Sequence, residues 1–113
     1  MNRVCVLQSR QVVNFLGRTM DFSYPIEPKL YIVRRNYVWH NILNMNQFSD
    51  RYSFIGTGQE SEGMMGFFDG INEEGFAAAA LYFPGCAKYD LKAEGEKKQP
   101  IAAVDFLHYL LGK

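Results

Sequence analysis

A chain of 113 residues with 48% hydrophobic, 15% aromatic and 21% charged residues can bury one core, which excludes a disordered tail and more than one domain. Twelve Lys and Arg balance twelve Asp and Glu, so a basic nucleic-acid groove is excluded. No apolar run approaches the ~20 residues of a membrane helix. Residues 1–8 are polar at Asn2 and Arg3 and do not read as a secretory signal. The expectation is a cytoplasmic domain with neither nucleic acid nor membrane as a partner.

The first two-thirds of the chain reads as strands. Residues 4–7 and 12–16 are short β-branched and apolar runs split by a polar stretch, a hairpin pattern. Residues 30–33 follow a segment containing Pro25 and Pro28, and residues 37–39 extend the pattern. Residues 52–55 are expected to end at Gly56 and Gly58. Residues 64–68 and 76–83 flank a 69–75 turn rich in Gly, Asn and Asp. Ala77 to Ala80 lie between Gly75 and Pro84, too short a run for a stable helix, and read as strand. Residues 88–98 read as a charged, exposed connection.

The period then changes. Ala103, Phe106, Leu107, Leu110 and Leu111 fall at helical spacing, with Pro100 before them and Gly112 after. Asp105 and His108 fall on the opposite face, where solvation is expected. The fold class is α+β: one antiparallel sheet with the helix, residues 100–111, packed on one face. A single helix of roughly twelve residues, ~18 Å long, cannot cover five or six strands. The chain therefore reads as the front part of a larger protein, with exposed apolar faces that favour a homo-oligomer.

The chemistry-bearing residues are few. Cys5, Cys86, His40 and His108 are widely spaced, without a Cys-x-x-Cys pair, so no structural zinc site is expected. A Cys5–Cys86 disulfide is arithmetically open, but nothing marks an oxidising compartment. Phosphate-loop and serine-elbow motifs are absent. No metal or cofactor is expected. On the residues alone Arg18 reads as a surface ion pair with Asp21, Tyr82 as a core aromatic and Cys86 as a neutral surface or half-buried cysteine. His40 follows Trp39 and is given a structural role.

Four segments in order carry a resemblance. Residues 15–22, Phe-Leu-Gly-Arg-Thr-Met-Asp-Phe, are similar to the FGRTMDF segment of the choloylglycine hydrolase and penicillin V acylase family. Residues 33–39 resemble its VPRNYxW stretch, residues 68–76 its DGxNExGL turn, and residues 81–85 match LYFPG. The resemblance implies an N-terminal-nucleophile hydrolase with an αββα sandwich, of which residues 1–113 form the N-terminal part. Such enzymes cleave linear amides of small molecules: conjugated bile salts, penicillin V or acyl-homoserine lactones. An N-terminal Cys attacks the carbonyl and its own α-amine serves as base.

Carried onto this sequence, Arg18 takes the position of the Arg that holds the thiolate and steers an acidic substrate. Asp21 takes that of the Asp accepting a hydrogen bond from the α-amine. Tyr82 stands where penicillin V acylase-like members have Tyr and bile-salt hydrolases usually have Asn. Its backbone N–H implies part of an oxyanion hole and its ring a pocket wall that binds substrate. The nucleophile departs from the pattern. Without gaps, Asn2 occupies its place, and an amide cannot do thiolate chemistry. With the first hairpin shortened by three residues, Cys5 becomes the nucleophile once Met1 to Val4 are removed. The ungapped register explains the match of Leu7 to Arg10 and is preferred; in it Cys5 is a small buried hydrophobe. The chain is accordingly expected to be an inactive fragment of an amide hydrolase; the alternative is a non-catalytic homologue serving as a structural or binding module.

Overall fold

The computed structural model describes residues 3–8, 13–81, 85, 88 and 100–113. Strands β1 (Arg3–Gln8) and β2 (Asn14–Thr19) form the expected antiparallel hairpin. Strand β3 (Lys29–Val33) follows the proline-containing segment. Strands β4 (Val38–His40) and β5 (Gln47–Ser49) make a short second hairpin, of which β5 had no sequence signal. Strands β6 (Phe54–Ser61), β7 (Met64–Asn72) and β8 (Ala77–Ala79) precede helix α1 (Ala103–Gly112).

The strands do not form one sheet, as the sequence pattern implied. Among the described residues they form three: β1–β2, β4–β5 and a four-stranded antiparallel sheet ordered β3-β6-β7-β8. The two hairpins pair only within themselves. Ala77 to Ala79 are strand, as expected. The β7–β8 turn is fixed by Asn72, whose side-chain oxygen accepts from Glu74 N and Phe76 N at 3.1 and 2.9 Å, and by Gly75 at φ +84°.

Gly56 and Gly58 do not end a strand. They lie inside β6, under the ring of Phe67. A Cβ on Gly56 would sit 2.6 Å from the Asp69 carbonyl oxygen and 3.2 Å from the Phe67 ring. Both glycines clear space for an aromatic on the neighbouring strand, one of the reasons glycine occurs inside strands.

The core lies between this sheet and α1. Val33, Phe54, Phe67, Leu107 and Leu111 form it, with Tyr31, Met65 and Ala78 packed around them. Each large side chain buried in this way contributes about 1.5–3 kcal/mol. The helix faces the sheet differently from its apolar stripe. Phe106 is 51% exposed, whereas Asp105 and His108, expected in solvent, are 8% and 5% exposed. The reason is local hydrogen bonding. An Asp105 carboxylate oxygen accepts from Ile42 N at 2.9 Å, and His108 pairs with Asp50. The segment around β4 and β5 thus covers the polar side of the helix.

Register explains how one sheet carries two chemically different faces. β6 and β7 pair from Phe54–Asn72 to Ser61–Met64, but the register shifts between Thr57 and Gly58, opposite which Phe68 is the extra residue. This is a β-bulge, and a bulge re-aims the side chains on either side of it. Phe67, Gly70 and Asn72 all meet the helix side: Phe67 joins the core, Gly70 abuts Leu111, and Asn72 Nδ2 donates to Leu111 O at 3.1 Å. Thr57, Asp69, Ile55 and Ile71 fall on the opposite face.

Candidate functional site

The site is built on that opposite face. β2 delivers Arg18 from the first hairpin. Arg18 Nη1 donates to Phe68 O at 2.7 Å and lies 3.9 Å from Asp69 Oδ2. The Arg18 side chain is 9% exposed and that of Asp69 is 23% exposed. This is a largely buried guanidinium set against the bulge of β7, not the expected surface ion pair. The Phe68 carbonyl also accepts from Ala80 N at 2.8 Å, so its position is set from both sides.

Asp69 is held in turn. Thr57 Oγ1 donates to Asp69 Oδ1 at 2.5 Å, and Thr57 N lies 3.4 Å from the same oxygen. One carboxylate oxygen thus engages β6 and the other faces Arg18. Arg18 Nε is buried and has no hydrogen-bond acceptor among the described residues. A guanidinium cannot deprotonate at ordinary pH, and a buried N–H without an acceptor is costly. Such a group is suited to an anion: a thiolate, a carboxylate or an oxyanion.

The structure separates Cys5 from this site. Across the hairpin Val4 is the partner of Arg18, whereas Cys5 is the partner of Gly17. Directly opposed residues share a face and neighbours alternate. Cys5 therefore points to the face of the hairpin away from Arg18. It is an exposed free thiol, not the buried hydrophobe expected of it. Its Sγ lies 3.6 Å from the point where a Cβ on Gly17 would stand.

Asp21 is exposed, beyond the end of β2 at Thr19. His40, expected to be structural, is exposed at the end of β4. Asn2, Tyr82 and Cys86 lie outside the described residues. Asp69 and Thr57 were missed as site residues. Asp69 was visible only as part of a turn motif, and the two closely spaced glycines of β6 were the one hint of a bulge. Among the described residues no three His, Cys, Asp or Glu side chains are grouped to hold a metal ion, and no helix is long and apolar enough to cross a membrane.

Two further features lie away from Arg18. A groove of about 300 Å³, lined in part by Tyr31, Val33, Met65, Phe67 and His108, opens on the helix side of the sheet. At the surface, Arg35 Nε and Nη2 donate to Glu73 Oε1 and Oε2 at 2.5 and 2.6 Å. This hydrogen bonding, followed by that from Ser53 N, lowers the Glu73 carboxyl to about 2.

Comparison with known proteins points in one direction. A model of the linear amide C–N hydrolases, choloylglycine hydrolase family, matches residues 4–113. A bile salt hydrolase/transferase from Clostridium perfringens is 30% identical over 105 residues, covering 93% of this chain and 32% of that protein. Two solved structures of a conjugated bile acid hydrolase from the same organism superpose closely. One carries a cysteine-to-alanine substitution, with a TM-score of 0.86 at 28% identity. The other carries an arginine-to-leucine substitution, with a TM-score of 0.83 at 27% identity. Each covers 99% of this chain, and this chain spans 34% of each of them.

Proposed function

This chain belongs to the choloylglycine hydrolase family of linear amide C–N hydrolases, and we propose that it carries the arginine-bearing part of an amide-cleaving site. Its substrate would be a small acylated amine. Arg18 would hold the thiolate of a nucleophile at position 2 and draw in an anionic substrate, with Asp21 accepting a hydrogen bond from the α-amine. One observation carries this reading: Arg18 is largely buried, tied to Phe68 O, and its Nε–H has no acceptor among the described residues, which suits it to an anion. Within β1, Val4 is the register partner of Arg18 and shares its face, whereas Cys5 does not.

The chain as given has Asn2 there, so we infer that it does not turn over amides. Cys5 does not replace the lost thiol, because it points to the other face. The relatives support a conjugated bile salt as the substrate class. The family resemblance at Tyr82 supports a penicillin V-like acyl group, with the Tyr82 backbone N–H as oxyanion donor. The compartment we propose is the cytoplasm, where the exposed thiol of Cys5 would stay reduced.

The test uses the chain with Met1 removed. Incubation with glycine-conjugated bile salt or with penicillin V should release no amine product and leave no acyl group on Cys5 by intact mass. With Asn2→Cys, the pH midpoint of alkylation of the new thiol should fall below that of Cys5. Arg18→Leu should raise it again by about one unit or more, the effect of losing a nearby opposite charge. A burst of product with acylation at Cys5, or an alkylation midpoint indifferent to Arg18→Leu, would overturn the reading.

A further inference from the structure

We propose that Asp69, locked by Thr57, is the positioning residue of Arg18: it sets where the guanidinium sits without touching substrate. The proposal rests on the reading of Arg18 given above. Arginine has a long side chain with roughly 2 kcal/mol of rotamer entropy, so one backbone hydrogen bond does not fix the direction of its fork. The carbonyl of Phe68 fixes Nη1 alone. The carboxylate of Asp69, 3.9 Å from the same nitrogen, adds a second, charged restraint.

That restraint has a defined direction because Asp69 does not rotate freely. Its Oδ1 takes the Thr57 hydroxyl at 2.5 Å, which turns Oδ2 toward the arginine. The arrangement depends on the bulge at Thr57–Gly58. Two residues on, in regular alternation, Phe67 and Asp69 would share a face; the extra residue Phe68 sends Phe67 to the core and Asp69 to Arg18. The bulge also brings the Phe68 carbonyl within reach of the same guanidinium. Thr57, Phe68 and Asp69 thus form one cradle, and the Nε–H of Arg18, without an acceptor among the described residues, is the donor it leaves for an anion.

The separating variants are Thr57→Val, which removes the hydroxyl but keeps the charge on Asp69, and Thr57→Ser, which keeps both. In the Asn2→Cys chain, Thr57→Val should move the alkylation midpoint of the thiol toward that of Arg18→Leu, and Thr57→Ser should leave it unchanged. In the chain as it exists, the Nε–H of Arg18 can be followed by nitrogen-edited NMR and assigned by its loss in Arg18→Lys. Its solvent exchange should quicken about tenfold in Thr57→Val and in Asp69→Asn, the factor for losing one hydrogen bond to a charged group, and stay within about twofold in Thr57→Ser. If Arg18→Leu moves the midpoint and Thr57→Val does not, the positioning role is wrong while the function stands. If Arg18→Leu has no effect, the functional reading fails first. Exchange indifferent to Asp69→Asn would rule out the cradle itself.

Discussion

His108 Nε2 lies 2.8 Å from Asp50 Oδ2, with the two side chains 6% and 3% exposed. The second carboxylate oxygen of Asp50 accepts from Trp39 Nε1 at 2.9 Å. The imidazole stacks on Trp39 at 4.3 Å and meets the edges of Phe54 and Phe67 near 5.2 and 5.3 Å. A carboxylate only accepts, so its two oxygens satisfy two ring donors from different elements. Asp50 thereby joins α1, β4 and the chain leaving β5.

Asp50→Ala should therefore be among the most destabilising single changes. It strands two buried donors and leaves a cavity beside Gly112. Removing one partner of a buried pair costs about 3–5 kcal/mol. Urea unfolding of Asp50→Ala, His108→Leu and the double variant should show strong coupling between the two sites. Additive losses would mean that the pair contributes little beyond packing.

The Arg35–Glu73 pair gives a pH prediction of defined sign. The Glu73 carboxyl is lowered from 4.5 to about 2, first by the Arg35 hydrogen bond and then by Ser53 N. The unfolded chain therefore takes up this proton before the folded one as pH falls. The stabilisation is complete above the ordinary carboxylate range and is lost progressively as pH falls through about 4.5 to about 2. Glu73→Gln should flatten the melting-temperature profile across that window and leave its neutral limb parallel to the parent. A steeper acid limb in Glu73→Gln would contradict the assignment.

Gly70 tests the sheet–helix contact. A Cβ there would stand 2.7 Å from Leu111 Cδ1 and 2.9 Å from Ile55 O. Leu111 is fully buried, so the side chain has nowhere to yield. Gly70→Ala should cost about 1–3 kcal/mol, the usual range for overpacking. Leu111→Ala is itself destabilising by about 2–5 kcal/mol, but in that background Gly70→Ala should cost less than in the parent while keeping part of its cost, since the backbone oxygen of Ile55 remains in the way. Thermal melts of the three variants decide the point.

These contacts show what the sequence could and could not disclose. The first hairpin and the final helix follow from local periodicity, but β2 runs over Asn14–Thr19 rather than 12–16, and the turn expected over 69–75 is shorter because β7 continues through Asn72. The helix face does not follow from periodicity. Asp105 and His108 read as solvated because polar residues usually are, yet Asp50 and the backbone of Ile42, more than fifty residues away, supply their partners. The split into three sheets was hidden for a related reason, since pairing is non-local. Arg18 was legible through a motif, but its partner Asp69 was not. A bulge changes which face a residue takes, and no alternation pattern records it.

The last prediction concerns the face that bears Asp69. Ile32, Ile55 and Ile71 are register partners across β3, β6 and β7, with Ala77 next in the row. Ile32 is 76%, Ile55 37% and Ile71 45% exposed, and Leu30 beside them is 67% exposed. Among the described residues β3 and β8 are the edges of this sheet. An apolar row beside open strand edges invites pairing with another copy. The chain should therefore self-associate, with an apparent mass by light scattering that rises with concentration. Ile32→Lys places a charge at the most exposed point of the row, where it displaces no core atom. It should lower the association while leaving the melting temperature of the dilute protein unchanged. A compact monomer at every concentration, or association indifferent to Ile32→Lys, would mean that this face does not drive self-association.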